Sequence, residues 1–551
     1  MFKIKNLKLK ILIVLLIVGG FLRFYNLNWG APFYFHPDER NIASLITSLD
    51  GSNLGFLLKG TFAYGTLVSN IVFVIKNLTD PILRILGLND PFGQSIILLR
   101  IVSSVSSIFT ILIVFLIGHK TLKWQQTLAA TLFTTFSVGL IQAAHFGVYE
   151  SILTLMYSLL LLSGIMYLKT KKLIYIFMSI LIVSLATAIK INSFIFLIIP
   201  VLLFVMHLRE KKINKIQGSI YLFLLISSPL LLTFFASPYY LTRNFRDMFA
   251  YEASLLTGSL PVFYTGEFFG TIPVIYQFTD ILPFLINPIL TLLFIIALPY
   301  VMYRGIKKRN VAYLMPCIFF VILFLPNALL FAKWTRYLVP TLPFIYLIIS
   351  IGVVDFLDTI LRNFRTQATV IVAALVLTNA VSAFSYLSEV FIKEDTRIAA
   401  SKWASWNIPK DTKILSEVYD LGITPFNPYL PNITLFNFYD LDGSARKKIE
   451  LEKQLKNADY LITPSQRVLK SRIANKEKFP NGFNFYSNLL SEKLGFKKIY
   501  ETPCDIFCKI TYLGNPVFNF EETTSVFDRP TVYIFKRVRG DAERQDPDHK
   551  L

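Results

Sequence analysis

Phe33-Tyr34-Phe35-His36-Pro37-Asp38-Glu39-Arg40 comes shortly after the first long apolar run of the chain. Two adjacent acids stand between a histidine and an arginine, and Trp29, Phe33, Tyr34 and Phe35 precede them. Tryptophan and tyrosine collect at membrane–water boundaries, where an amphipathic ring meets both of its solvents. Carboxylates near a membrane are costly unless they are paired or used. Asp38 and Glu39 are therefore read as members of a site at the outer membrane face, with the remaining segments as its scaffold.

Composition places that site in a polytopic membrane protein. The chain has 551 residues, of which 54% are apolar, and a mean hydropathy of +0.54. A spanning helix needs roughly 20 mostly apolar residues. Runs of that kind fall at about 9–27, 95–118, 124–143, 151–168, 173–189, 193–208, 218–236, 281–303, 311–331, 337–357 and 367–390. The fold class is thus an α-helical membrane domain of about eleven transmembrane helices, residues 1–390, followed by a small extracytoplasmic α/β domain, 391–539. Two long outer loops, 28–93 and 237–280, interrupt the membrane domain. The apolar pieces of the first (41–49, 62–76, 81–88) suit helices lying on the membrane surface. Residues 540–551 are polar and are expected to be disordered.

The net charge of +20 does not point to nucleic acid. Its lysines and arginines sit in short links between apolar runs: Lys3, Lys5, Lys8 and Lys10; Lys169, Lys171 and Lys172; Arg209, Lys211, Lys212 and Lys215; Arg304, Lys307, Lys308 and Arg309. That is the positive-inside pattern, which sets topology. It puts the N-terminus in the cytoplasm, behind an uncleaved signal anchor, and the tail outside in a multi-pass cell-membrane protein. Cys317 reads as a small core residue, whereas Cys504 and Cys508 can pair if the tail is extracytoplasmic. Within the tail, 396–406 reads as helix and 413–416, 460–463 and 531–535 as strands of a partly parallel sheet.

Asp38, Glu39, Glu150, Lys190 and Arg336 are far apart in sequence, yet all fall at outer ends of predicted spans, which suggests one polar cavity. The surrounding motifs carry a resemblance. Arg23 closes the first span and Pro37-Asp38-Glu39 follows it. His145-Phe146 with Glu150, Ala188-Ile189-Lys190, and Arg336-Tyr337-Leu338-Val339-Pro340 with Pro343 come next, and the tail has Ala399 to Trp403 before Asn407-Ile408-Pro409. In order and sidedness this set resembles the GT-C membrane glycosyltransferases. The nearest branch is the family 39-like one of protein O-mannosyltransferases and aminoarabinose transferases.

The resemblance implies an inverting transfer of a sugar from a polyprenyl-phosphate carrier to an acceptor hydroxyl outside the cytoplasm, the acceptor being protein, glycan or lipid. An acceptor hydroxyl needs a general base, and Asp38 matches the first acid of the family pair. Its bland reading is a loop carboxylate at a surface helix. Glu39 is grouped with it as catalytic, by orienting Asp38 or binding acceptor. The departing phosphate calls for fixed cations. Arg336, Lys190 and Arg23 are the candidates, against interfacial anchoring for Arg336 and snorkelling for Lys190. Glu150 is a second site carboxylate or a helix-start acid favoured by the dipole. His145 and His36 are grouped with it as acceptor-binding or structural. No cofactor is expected. His36, Asp38, Glu39 and Glu150 are metal-ligand types, but no metal is assigned.

There is no Trp-Trp-Asp run of the oligosaccharyltransferase type, which argues against en bloc transfer to asparagine. The rival reading is a carrier or flippase for a lipid-linked substrate. A transporter would place ionisable groups or broken helices near the bilayer midplane.

Overall fold

The computed structural model describes residues 6–212, 215–361, 365–419 and 421–538. The tail 540–551, expected to be disordered, lies outside them. The chain divides into two units.

The first unit takes Met1–Leu27, Asp38–Ser259 and Pro273–Ala383. Its helices are α1 (Asn6–Phe24), α2 (Pro37–Ser48), α3 (Leu67–Ile85), α4 (Pro91–Thr121), α5 (Trp124–Thr135), α6 (Val138–His145), α7 (Glu150–Thr170) and α8 (Ile174–Ile189). Then come α9 (Ile198–Glu210), α10 (Lys215–Ala236), α11 (Arg243–Thr257), the single turn α12 (Leu282–Leu285), α13 (Pro288–Lys307), α14 (Val311–Ala328), α15 (Leu342–Ile360) and α16 (Arg365–Leu387). Each of the predicted spans has a helical counterpart. Among the described residues eight helices are long and apolar enough to cross a membrane, and the bent pair α5–α6 makes a ninth if taken as one span. The other counterparts are α8, 16 residues long, and α1, which carries Lys8, Lys10 and Arg23. This is a membrane protein. Thr335–Ile360 is almost wholly buried, at 94%, whereas only 17% of Ile216–Ala236 is, so apolar side chains face inward in one and outward in the other.

Two expectations change. The pieces 62–76 and 81–88 join into the one helix α3, with Pro81 inside it. The third predicted span is broken: α5 ends at Thr135, Ser137 caps α6 by accepting from Leu140 N at 3.2 Å, and the halves bend by 43°. The carbonyls freed at the break need donors in an apolar setting. Arg23 supplies them, donating to the oxygens of Thr134 and Thr135 at 3.0 Å each, and Asn379 donates to Phe133 at 3.1 Å. Asp355, near the end of α15, is matched as well, accepting from Lys123 at 3.1 Å and from Tyr313 at 2.7 Å.

The second unit takes Asn28–Pro37, Leu260–Ile272 and the chain from Phe384 onward. It is more than the contiguous tail expected from 391, because two outer-loop pieces build into it. Phe35 lies under the Arg397 guanidinium at 3.7 Å, and Phe263 packs on Tyr419 and Tyr439 at 4.9 and 4.8 Å. Its sheet has the order β2-β1-β3-β5-β4, with β1 (Ile414–Glu417), β2 (Ile433–Phe436), β3 (Tyr460–Thr463), β4 (Phe496–Glu501) and β5 (Tyr533–Arg537). β1 runs parallel to β2 and β3, while β5 runs antiparallel to β3 and β4. Successive side chains serve opposite faces: Ile414 joins Ala400 and Ala404 of the helix Thr396–Asn407, and Leu415 joins Phe436 and Phe485. Glu267, Glu521 and Glu522 gather within 4.8 Å of one another, with Arg467 2.8 Å from Glu522 and Lys470 3.6 Å from Glu267. Burial drives the Glu267 carboxyl well above the usual range, against the pull of Lys470. Cys504 and Cys508 form a disulfide.

One small contact in the first unit sets a site residue. Tyr64 and Lys190 form an isolated antiparallel bridge, closed by Gly65 N donating to Ile189 O at 2.9 Å. A Cβ at Gly65 would lie 1.9 Å from the Ala188 carbonyl oxygen and 2.6 Å from the Tyr240 hydroxyl. Backbone cannot yield cheaply there. Gly65→Ala is expected to cost about 1–3 kcal/mol, the scale of overpacking, read as an earlier unfolding transition in detergent. An unchanged transition would remove this contact from the fold.

Candidate functional site

The site begins at the start of α2. Pro37 takes the first helical position, where its missing N–H costs nothing, and Asp38 and Glu39 occupy the first turn, where the helix dipole favours acids. Adjacent helical residues point about 100° apart, since a turn holds 3.6 residues. Glu39 turns inward and is fully buried. Its carboxylate accepts from Arg100 Nε at 2.9 Å and Nη2 at 2.7 Å, a two-pronged pair, and from Gly147 N at 2.7 Å. Arg100 also donates to the Leu27 carbonyl at 2.6 Å. Gly147 allows the approach: a Cβ there would stand 2.8 Å from Leu99 Cβ and 3.0 Å from Glu39 Cγ. Loop, α4 and the turn before α7 are thereby clamped together.

Asp38 faces the other way, and its Oδ2 accepts from Arg336 Nη1. Arg336 lies over the Trp334 ring at 4.7 Å and the Tyr337 ring at 5.6 Å, so aromatic faces set the plane of the guanidinium. The ring contacts suit a boundary anchor, and the contact with Asp38 suits a site cation. Lys190 closes α8, with its Nζ 3.7 Å from Glu150 Oε1 and 4.6 Å from the Tyr337 ring centroid. Burial pulls its ammonium below the usual lysine range, and Glu150 works against that. Burial holds the Tyr64 phenol well above its ordinary value despite Arg336 nearby, leaving a neutral hydroxyl.

Arg336, Tyr337, Lys190, Glu150 and Tyr64 open on a cavity of about 440 Å³. Tyr64, Glu150, Lys190, Glu252 and Arg336 line its polar end, and Leu153, Ile195, Leu256, Ile322 and Leu323 its apolar remainder. Such a space suits an amphiphile whose charged head meets two cations and whose tail meets hydrocarbon.

Four expected site residues are therefore together: Asp38, Glu150, Lys190 and Arg336. The other four make their contacts elsewhere. Glu39 is held by Arg100 and does not line the cavity, which fits the orienting reading of this residue and not contact with acceptor. Arg23 does not line the cavity: it is fully buried and its donors go to Ser107 and to the carbonyls of Gly19, Thr134 and Thr135. His145 is fully buried, with each ring nitrogen 2.9 Å from a carbonyl oxygen, of Ile141 and of Tyr25, which fits its structural reading. His36 is buried in the second unit, its ring 4.9 Å from that of Phe527. The reading from residues missed Arg100, Tyr64 and Glu252.

No protein-family model and no curated protein matches the chain. Among solved structures, the apo oligosaccharyltransferase of Archaeoglobus fulgidus aligns at a TM-score of 0.50 and 12% identity, over 97% of this chain and 89% of that one. The same enzyme tethered to an acceptor peptide containing the NVT sequon gives 0.50 and 12%, over 97% and 88%. ArnT from Cupriavidus metallidurans bound to undecaprenyl phosphate gives 0.44 and 12%, over 83% and 92%. At such identity the likeness is one of fold: the chain has the GT-C architecture of membrane glycosyltransferases.

The clamp has a measurable consequence. Breaking a fully buried ion pair from one side strands the other charge, at a cost of about 3–5 kcal/mol. Arg100→Met should lower stability by that amount in denaturant titrations in micelles, and adding Glu39→Gln should restore part of it. If Arg100→Met is neutral, the pair does not hold α2.

Proposed function

We propose that this protein is an inverting glycosyltransferase that takes a sugar from a polyprenyl-phosphate carrier and delivers it to a hydroxyl acceptor outside the cytoplasm. One observation carries the reading: a carboxylate in contact with one of two cations at the polar end of a cavity whose remainder is apolar. The GT-C fold supports it. The phosphate of the donor is held by Arg336 and Lys190, with the prenyl chain along Leu153, Ile195 and Leu323. Asp38 accepts the proton of the acceptor hydroxyl as its oxygen bonds to the anomeric carbon. The bond from that carbon to the phosphate oxygen breaks, and the electron pair leaves on the lipid phosphate, where the two cations stabilise it. Glu150 keeps Lys190 in place.

A carrier or flippase would be expected to build its binding site at the broken span. No residue of α5 or α6 lines the cavity, which favours chemistry over transport. The basic links support a cytoplasmic N-terminus and an outer C-terminus, so a reporter active only outside the cytoplasm should work when fused to the C-terminus. Activity of a cytoplasm-only reporter there would reverse the orientation.

Transfer is tested in membranes with radiolabelled polyprenyl-phosphate sugars. Wild type should release sugar, and Asp38→Asn should be slower by at least ~100-fold, the scale of a lost general base. Equal release by both proteins would take Asp38 out of the chemistry.

A further inference from the structure

Glu150 and Glu252 line the cavity, and Asp38 pairs with Arg336 on its wall; Asp38 is thus matched by Arg336 and Glu150 by Lys190. Glu252 is not. It lies on α11, where Phe249, Glu252, Ala253 and Leu256 recur at helical spacing and form one wall of the cavity. Helix periodicity rather than a partner aims its carboxyl inward. Among the described residues it makes no hydrogen bond or ion pair, although Arg336, Asp38 and Lys190 act on it through space. Burial raises its carboxyl above the usual range, with Arg336 opposing.

A carboxyl partly removed from water and given no protein partner needs a hydrogen bond from whatever fills the cavity. A lipid-linked donor has three parts. Its phosphate is anionic and would repel the carboxylate. Its tail has nothing to donate. The sugar remains, with hydrogen-bond donors around its ring.

We propose that Glu252 reads the transferred sugar, accepting a hydrogen bond from a hydroxyl or ammonium substituent of the ring while Arg336 and Lys190 hold the phosphate. This rests on the lipid-phosphate reading of the same cavity. Glu252 is a specificity residue that no family motif marks, contributed by the second outer loop.

The test measures binding without acceptor. Purified wild type, Glu252→Ala and Glu252→Gln are titrated with sugar-free polyprenyl phosphate and with donors bearing neutral hexoses, epimeric at single carbons, or an amino sugar. Sugar-bearing donor should bind about 10- to 100-fold more weakly to Glu252→Ala, the scale of one hydrogen bond to a charged group. The sugar-free carrier should change by less than about threefold, or tighten as a like charge is removed. An amino-sugar preference abolished in Glu252→Gln assigns an ammonium; a preference for one hexose epimer partly kept in it assigns a hydroxyl. Parallel changes for both ligands, or none for either, would overturn the proposal while leaving the carrier site intact. A wild type that binds neither ligand would overturn both.

Discussion

The buried pair of Glu39 and Arg100 is the interaction on which the site depends. Neither side chain touches solvent, and each oxygen of the carboxylate has a donor. The energy lies less in the pair itself than in the cost of parting it, because a lone charge in an apolar interior is far dearer than a matched one. With Glu39 turned inward, Asp38 one residue earlier has to face elsewhere. It meets Arg336, 298 residues later in the chain. A structural pair thus aims the pair proposed to carry the chemistry.

The cavity follows from the same economy of charge. A lipid-linked substrate brings a phosphate that has to stay near water and a tail that has to stay in hydrocarbon, so a site for it belongs where helices end. Lys190 ends α8, Glu150 begins α7, and Arg336 precedes α15. Each can therefore present a charge without burying it in mid-span. Aromatic rings of Trp334, Tyr337 and Tyr64 sit against the two cations and restrict them without neutralising them.

Much of this was legible in the residues, for identifiable reasons. Apolar runs long enough to span announce themselves, and Asp38, Glu150, Lys190 and Arg336 stood out as charges at the ends of such runs. Arg100 was hidden because it lies inside a run, where no end marks it. Its signal was a charge with nowhere to go, since an arginine in hydrocarbon demands an acid. Arg23 carried the same charge near the same face but serves backbone carbonyls freed by a helix break, and nothing in the local residues announces that break. Glu252 belongs to an amphipathic helix whose inward face is decided by packing. β4 was missed because Phe-Lys-Lys-Ile-Tyr-Glu is an edge strand with mostly exposed side chains, so it lacks the apolar run that gave away β3.

The central claim is that Arg336 and Lys190 form a cradle for a lipid phosphate beside Asp38. The most direct measurement is an experimental structure of the protein with polyprenyl phosphate bound. The account predicts the phosphate in contact with both cations and the prenyl chain along Leu153, Ile195 and Leu323. A phosphate bound elsewhere, with Arg336 still on Asp38 and Lys190 still on Glu150, would contradict it.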